Sequence, residues 1–122
     1  MKKIKFNVPI YDMEITCLIL DKNDDFMETI YPQIKNFPLP NEEFATINNN
    51  VQEHLHSGGT TYRFMTSRKI LVLIYPCKSE KERRNVLNHE KRHVEDRILE
   101  HFGVKDIESS ALLAGFLSEK IY

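Results

Sequence analysis

The sequence predicts an α+β domain in which a small, mostly antiparallel sheet is packed by helices, in the order β-β-α-loop-β-β-α-α. Three observations carry this reading. Short strand-like runs come in two pairs, a long capped amphipathic segment opens at Ser79, and a second helical stripe follows a glycine stop at Gly103. At 122 residues the chain has enough apolar material for one hydrophobic core, so residues 1–122 are expected to form a single domain.

Residues 3–8 alternate polar and apolar positions, and residues 13–20 form an apolar, Ile/Leu-rich run. With Pro9 to Asp12 as a turn, these are expected to open the chain as a hairpin. Asp24 or Asp25 can cap a helix carrying Phe26, Met27, Ile30, Tyr31 and Ile34 at helical spacing. Pro32 should kink or shorten that helix, and Pro38 and Pro40 should close it.

From Asn41 to Gly59 the periodicity is weak, and the Asn48-Asn49-Asn50 run and the Gly58-Gly59 pair read as a mobile loop. Residues 60–66 and 69–76 then read as strands around a turn near Ser67-Arg68, the second the more buried. Ser79 with Glu82 three residues on is a capping box that opens a helix running to about Phe102. Asp106 should cap a last helix whose stripe is Leu112, Leu113, Phe116, Leu117 and Ile121.

Composition narrows the function classes. A formal net charge of -1 supplies no whole-molecule attraction for nucleic acid or an anionic membrane. The basic run from Lys78 to Arg84, with Lys91 and Arg92, is interleaved with Glu80, Glu82 and Glu90; it reads as a solvated helix face and argues against a nucleic-acid partner. No run approaches the roughly 20 apolar residues of a membrane span, and polar residues soon after Met1-Lys2-Lys3 break any export signal. Cys17 and Cys77 lack metal-type spacing and are expected as reduced thiols. A cytoplasmic location is the corresponding expectation.

The chemistry is concentrated in His89-Glu90-Lys91-Arg92-His93, an HExxH pattern on the long helix. Histidines four apart project from one helical face, close enough for both imidazoles to reach one zinc ion at about 2.0–2.1 Å. Glu90 points to the neighbouring side, where its carboxylate can touch a zinc-bound water without ligating the metal. Zinc brings that water's pKa towards about 7, so Glu90 is the expected general base as the water attacks a polarised carbonyl. On a helical wheel the stripe Leu87, Val94, Ile98 and Phe102 faces the core, and the histidines lie off one flank of it. Lys91 falls on the stripe, so its stem should lie along the core edge with the ammonium reaching water.

A catalytic zinc takes a third protein ligand as a rule. On the same helix Glu100 lies roughly 10 Å beyond His93, His101 lies farther still, and Glu95 projects to another face. Asp96 fits better as a partner that orients His93. Two carboxylates remain open. An extended connection after Gly103 brings Glu108 back to the histidines, whereas a tight helical hairpin turns Glu119 toward them. For oxyanion stabilisation the residues offer Tyr62, Arg63, His54, His56 and Tyr122 without a spacing rule to choose among them. Strand 60–66 could form a sheet edge for an extended peptide.

His89-Glu90-x-x-His93, followed one loop later by Glu108 near a helix start, resembles the gluzincin branch of the zincin metallopeptidases. The continuation Ile107-Glu108-Ser109-Ser110-Ala111-Leu112-Leu113-Ala114-Gly115-Phe116-Leu117 is similar to small HExxH proteins of phages and mobile elements. The resemblance covers residues 70–122. It implies a minimal zincin-like domain in which His89, His93 and Glu108 hold zinc and Glu90 is the general base. The implied activity is hydrolysis of a peptide or protein substrate, with a protein partner able to complete a shallow site. The alternatives are a metal-stabilised interaction protein without turnover and, less favoured, a nucleic-acid binder using the basic helix face.

Overall fold

The computed structural model describes residues 1–53, 58–64, 66–103 and 107–121. Four strands form one mixed sheet: β1 (Lys2–Val8), β2 (Met13–Ile19), β3 (Gly59–Phe64) and β4 (Lys69–Ile74), in the spatial order β1-β2-β4-β3. The β1–β2 and β3–β4 pairs are antiparallel, as local hairpins must be, while β2 and β4 run parallel through the centre, with Cys17 opposite Val72. The expected mostly antiparallel sheet therefore carries a parallel pair at its heart.

That pair explains why β2 and β4 are apolar almost without interruption, since a parallel pair is covered on both faces. Residues of one parity, such as Ile15, Cys17, Ile70 and Val72, pack against the long helix α3 (Glu80–His101) and the last helix α4 (Ile107–Ile121). Residues of the other parity, such as Leu18, Leu71 and Leu73, pack with Phe26, Ile30 and Ile34 and with α2 (Asn41–Glu53). The sheet thus separates two apolar cores.

The region expected as a loop from Asn41 to Gly59 is instead helical as far as Glu53. Glu42 and Glu43 in its first turn suit the positive end of the helix dipole, and Phe44, Ile47 and Val51 recur at helical spacing toward the sheet. Three consecutive asparagines cost about 2 kcal/mol of helix propensity relative to alanine. Burying Ile47 and Val51, both under 5% exposed, returns about 3–6 kcal/mol, so packing outweighs propensity.

The helix expected around Phe26–Ile34 is present in altered form. Asp25 caps it by accepting the Glu28 N–H at 2.8 Å, but Phe26–Ile30 winds as a π-helical turn, with the Tyr31 N–H donating to the Phe26 carbonyl. The wide turn precedes Pro32, whose ring would crowd the Glu28 carbonyl in a regular helix. Only the single turn α1 (Tyr31–Ile34) continues beyond it.

Ser79 caps α3 by accepting the Glu82 N–H at 3.1 Å, and the Glu82 carboxylate accepts the Lys78 N–H at 2.9 Å. The box therefore closes one residue earlier than the pattern predicts. At the far end Gly103 adopts φ +67°, the left-handed stop the sequence indicated. The Phe102 ring lies 5.2 Å from that of Tyr11, in the β1–β2 turn, and the Arg68 guanidinium sits 5.9 Å over it from the β3–β4 turn. The C-terminus of α3 is thus at the turn end of the sheet, and α3 runs alongside the edge strand β3 in the same direction. The expected cap Asp106, and His54, His56 and Tyr122, lie outside the described residues. Among the described residues no helix is long and apolar enough to cross a membrane.

Candidate metal centre

Leu87, Val94 and Ile98 turn one face of α3 into the sheet, which sends Glu90 to the side where β3 forms the edge. Glu90 is 3% exposed, an unusual position for a carboxylate, and its burial is offset in part: Thr61 Oγ1 donates to Oε1 at 3.1 Å. Strand parity puts Gly59 on the same face as Thr61. A Cβ at Gly59 would stand 2.7 Å from Glu90 Cγ and 2.9 Å from the Leu73 carbonyl oxygen, so only glycine lets helix and strand approach this closely. In the sequence Gly59 belongs to a loop-like glycine pair and Thr61 is one residue of strand 60–66, with nothing local to link either to Glu90. The alternating parity of β3 was the signal that groups them.

His89 and His93 lie on the solvent side of Glu90. Their Nε2 atoms face each other at 3.0 Å, with ring centroids 4.6 Å apart and nearly perpendicular planes. Two imidazoles on one tetrahedral zinc would have their nitrogens about 3.3 Å apart, so a small side-chain rotation converts the pair into a two-nitrogen clamp. The ligand atoms of His89, Glu90 and His93 all lie within 4.8 Å of one another. Two imidazole nitrogens with a carboxylate beside them are chemistry that fits a divalent cation such as zinc.

The opposite flank of α3 is taken by α4, which returns beside it. Lys91 Nζ donates to Ser118 Oγ at 2.6 Å, and Ser110 Oγ donates to Glu95 Oε1 at 2.7 Å. Lys91 therefore runs along the core edge as expected, but its ammonium ends on a partly buried hydroxyl of α4 where the sequence predicts water. His93 lies two residues from both Lys91 and Glu95, about 160° around the helix from each, so the flank that meets α4 is not the one that carries the imidazoles. Glu108, in the first turn of α4, and Glu119, near its end, are both exposed and stand outside the three-residue group. Asp96 is also exposed, and among the described residues it makes no hydrogen bond to His93.

The remaining sequence candidates separate by sheet face. Tyr62 points away from the histidines, donating to Glu43 of α2 at 3.0 Å, and burial with that bond pushes its phenol well above the ordinary range. Arg63 has the parity of Thr61 and faces the α3 layer. Both thiols are free, and burial pushes Cys17 up to about 12, so it is an inert core residue at neutral pH.

A groove of ≈ 830 Å³ lies between Leu20–Asn23 and Pro76–Glu80 at the N-terminal end of α3. Glu80 is about 13 Å along the helix from His89, and Arg83 in its wall is paired with Glu80, so this groove is separate from the histidine centre. Compared with family models, with curated proteins and with solved structures, the chain matches none of them.

Proposed function

We propose that the chain is a zinc-dependent hydrolase of peptide or similar amide bonds, with His89 and His93 holding the ion and Glu90 as the general base. The observation that carries this reading is the convergence of two facing Nε2 atoms, 3.0 Å apart, with a buried carboxylate in the same cluster. Zinc held there would supply a Lewis acid and make nearby solvent more acidic.

The chain's own residues would do the rest. Thr61 engages Oε1 of Glu90 and so restrains the carboxylate's rotation, leaving its other oxygen to take a proton from the attacking water and later pass it to the leaving amine. Packing against Gly59 keeps the carboxylate at the edge of β3. The solvent-accessible imidazoles leave the outer side of the centre open to substrate. This reading rests on His89, Glu90 and His93. Glu108, the third ligand implied by the gluzincin resemblance, is a separate claim with its own test.

Elemental analysis of protein prepared without chelator, combined with hydrolysis of a fluorogenic peptide mixture, tests both. The expected result is near-stoichiometric zinc in the parent and in Glu90→Gln, with turnover only in the parent, and loss of zinc in His89→Ala. A fall in zinc affinity of about 10-fold or more in Glu108→Ala would place that carboxylate in the ligand set. Unchanged affinity would remove it and the gluzincin label. Zinc without turnover in the parent would favour a metal-stabilised interaction protein, and the absence of bound zinc would overturn both readings.

A further inference from the structure

The groove between α3 and β3 does not end at Glu90. Gly59 and Thr61 meet Glu90, so Arg63, two residues on with the same parity, faces the same groove about 7 Å farther toward the β3–β4 turn. On α3, Arg97 is one turn beyond His93 and two turns beyond Glu90, about 10 Å along the helix in the same direction. Helical side chains lean toward the N-terminus, which brings Arg97 back toward the level of Arg63. The Thr61–Glu90 hydrogen bond and the Arg68–Phe102 contact bracket the two arginines along this groove.

Among the described residues no carboxylate lies within ion-pair distance of Arg63 or Arg97, although six other such pairs form elsewhere. Arg97 Nε is moreover buried without a hydrogen-bond partner, the one such side-chain atom among those described. A buried N–H left unpaired is costly unless something supplies the acceptor. Two planar cations beside an open centre match the geometry of a carboxylate.

The geometry points to Arg63 and Arg97 as an anion subsite that anchors a substrate carboxylate next to the His89, Glu90 and His93 centre. This inference rests on the hydrolase reading of that centre and sharpens it to a substrate class: peptides with a negative charge close to the bond that is cut. The carboxylate is either a free peptide C-terminus or an acidic side chain. At about 7–10 Å from Glu90 along the groove, an extended peptide places it two or three residues from the reacting carbonyl.

The test uses the full chain as Glu90→Gln, which keeps an acceptor for Thr61 and removes turnover. Three dye-labelled peptides of one sequence are titrated by fluorescence polarisation: a free C-terminus, its amide, and the amide carrying one aspartate near its end. The free acid or the aspartate peptide is expected to bind about tenfold more tightly than the neutral amide, and which of them does so identifies the source of the charge. Arg97→Gln should abolish the preference and Arg63→Gln should reduce it. Arg63 is on the sheet edge, so its variant remains informative if Arg97→Gln unfolds. Equal binding of charged and neutral peptides, or a preference that survives both substitutions, would overturn the subsite. The zinc content of the same samples separates the two ideas: a preference without zinc removes the hydrolase reading alone, and zinc without a preference removes the subsite alone.

Discussion

On the flank of α3 that faces α4, Lys91 and Glu95 each meet a serine hydroxyl, whereas on the flank that faces β3, Glu90 has a single threonine donor and Arg97 keeps a buried N–H unpaired. Both flanks put polar groups at the edge of one core. The α4 flank settles them with flexible side chains that reach a neighbouring helix, as expected of groups whose task is to join two helices. The β3 flank holds its groups by close backbone approach, with glycine at the contact, and among the described residues leaves the Arg97 Nε–H without an acceptor. A motif read as a string does not distinguish these flanks, because Glu90 and Lys91 are adjacent in sequence and about 100° apart on the helix.

The sharpest way to break this contrast is to damage the α4 flank and follow the centre. Leu117 is fully buried against the sheet side of α4, and Leu117→Ala is expected to cost about 2–5 kcal/mol in urea unfolding. Zinc bound per folded molecule should not change. Loss of zinc from protein that is still folded would show that α4 belongs to the centre.

A smaller effect is expected on the other flank. Thr61→Val keeps the shape of the side chain but leaves the buried Glu90 carboxylate without its donor, a loss of about 1–3 kcal/mol that Thr61→Ser should largely restore. If valine and serine behave alike in thermal unfolding, the hydrogen bond does not hold Glu90. The smallest change is predicted for Lys91→Met, less than about 1 kcal/mol, because its ammonium is only partly buried and its stem can be replaced by an apolar one. A larger loss would mean that the α4 flank depends on its polar contacts as heavily as the β3 flank does.

Much of this arrangement was readable before the fold was known. Four strands, the cap at Ser79, the stop at Gly103 and the imidazole pair all follow from local chemistry or from a fixed helical period. What escaped depended on contacts distant in sequence. The helix Asn41–Glu53 has only Phe44, Ile47 and Val51 to announce it, and its asparagines favour other conformations until the sheet buries that stripe. The π-helical turn before Pro32 could be anticipated as an interruption but not as a widened turn. In the centre, Glu90 could be assigned a role from its place in the motif. Thr61, Gly59 and Arg97 could not, because the pairing of a strand with a helix some thirty residues later is decided by register rather than spacing. Arg63 stood among the candidate oxyanion donors, and only its parity relative to Thr61 turns it toward the groove.

The parallel ladder between β2 and β4 also sets an order of assembly. Its strands are separated by everything from Leu20 to Arg68, so closing it costs about 2 kcal/mol more chain entropy than either flanking hairpin. The N-terminal hairpin can form early and by itself. So can the C-terminal unit of β3, β4 and α3, which already contains Thr61, His89, Glu90 and His93. Docking of these two halves is thus expected to follow their local ordering, and His89, Glu90 and His93 all lie in the half that can be ordered before it.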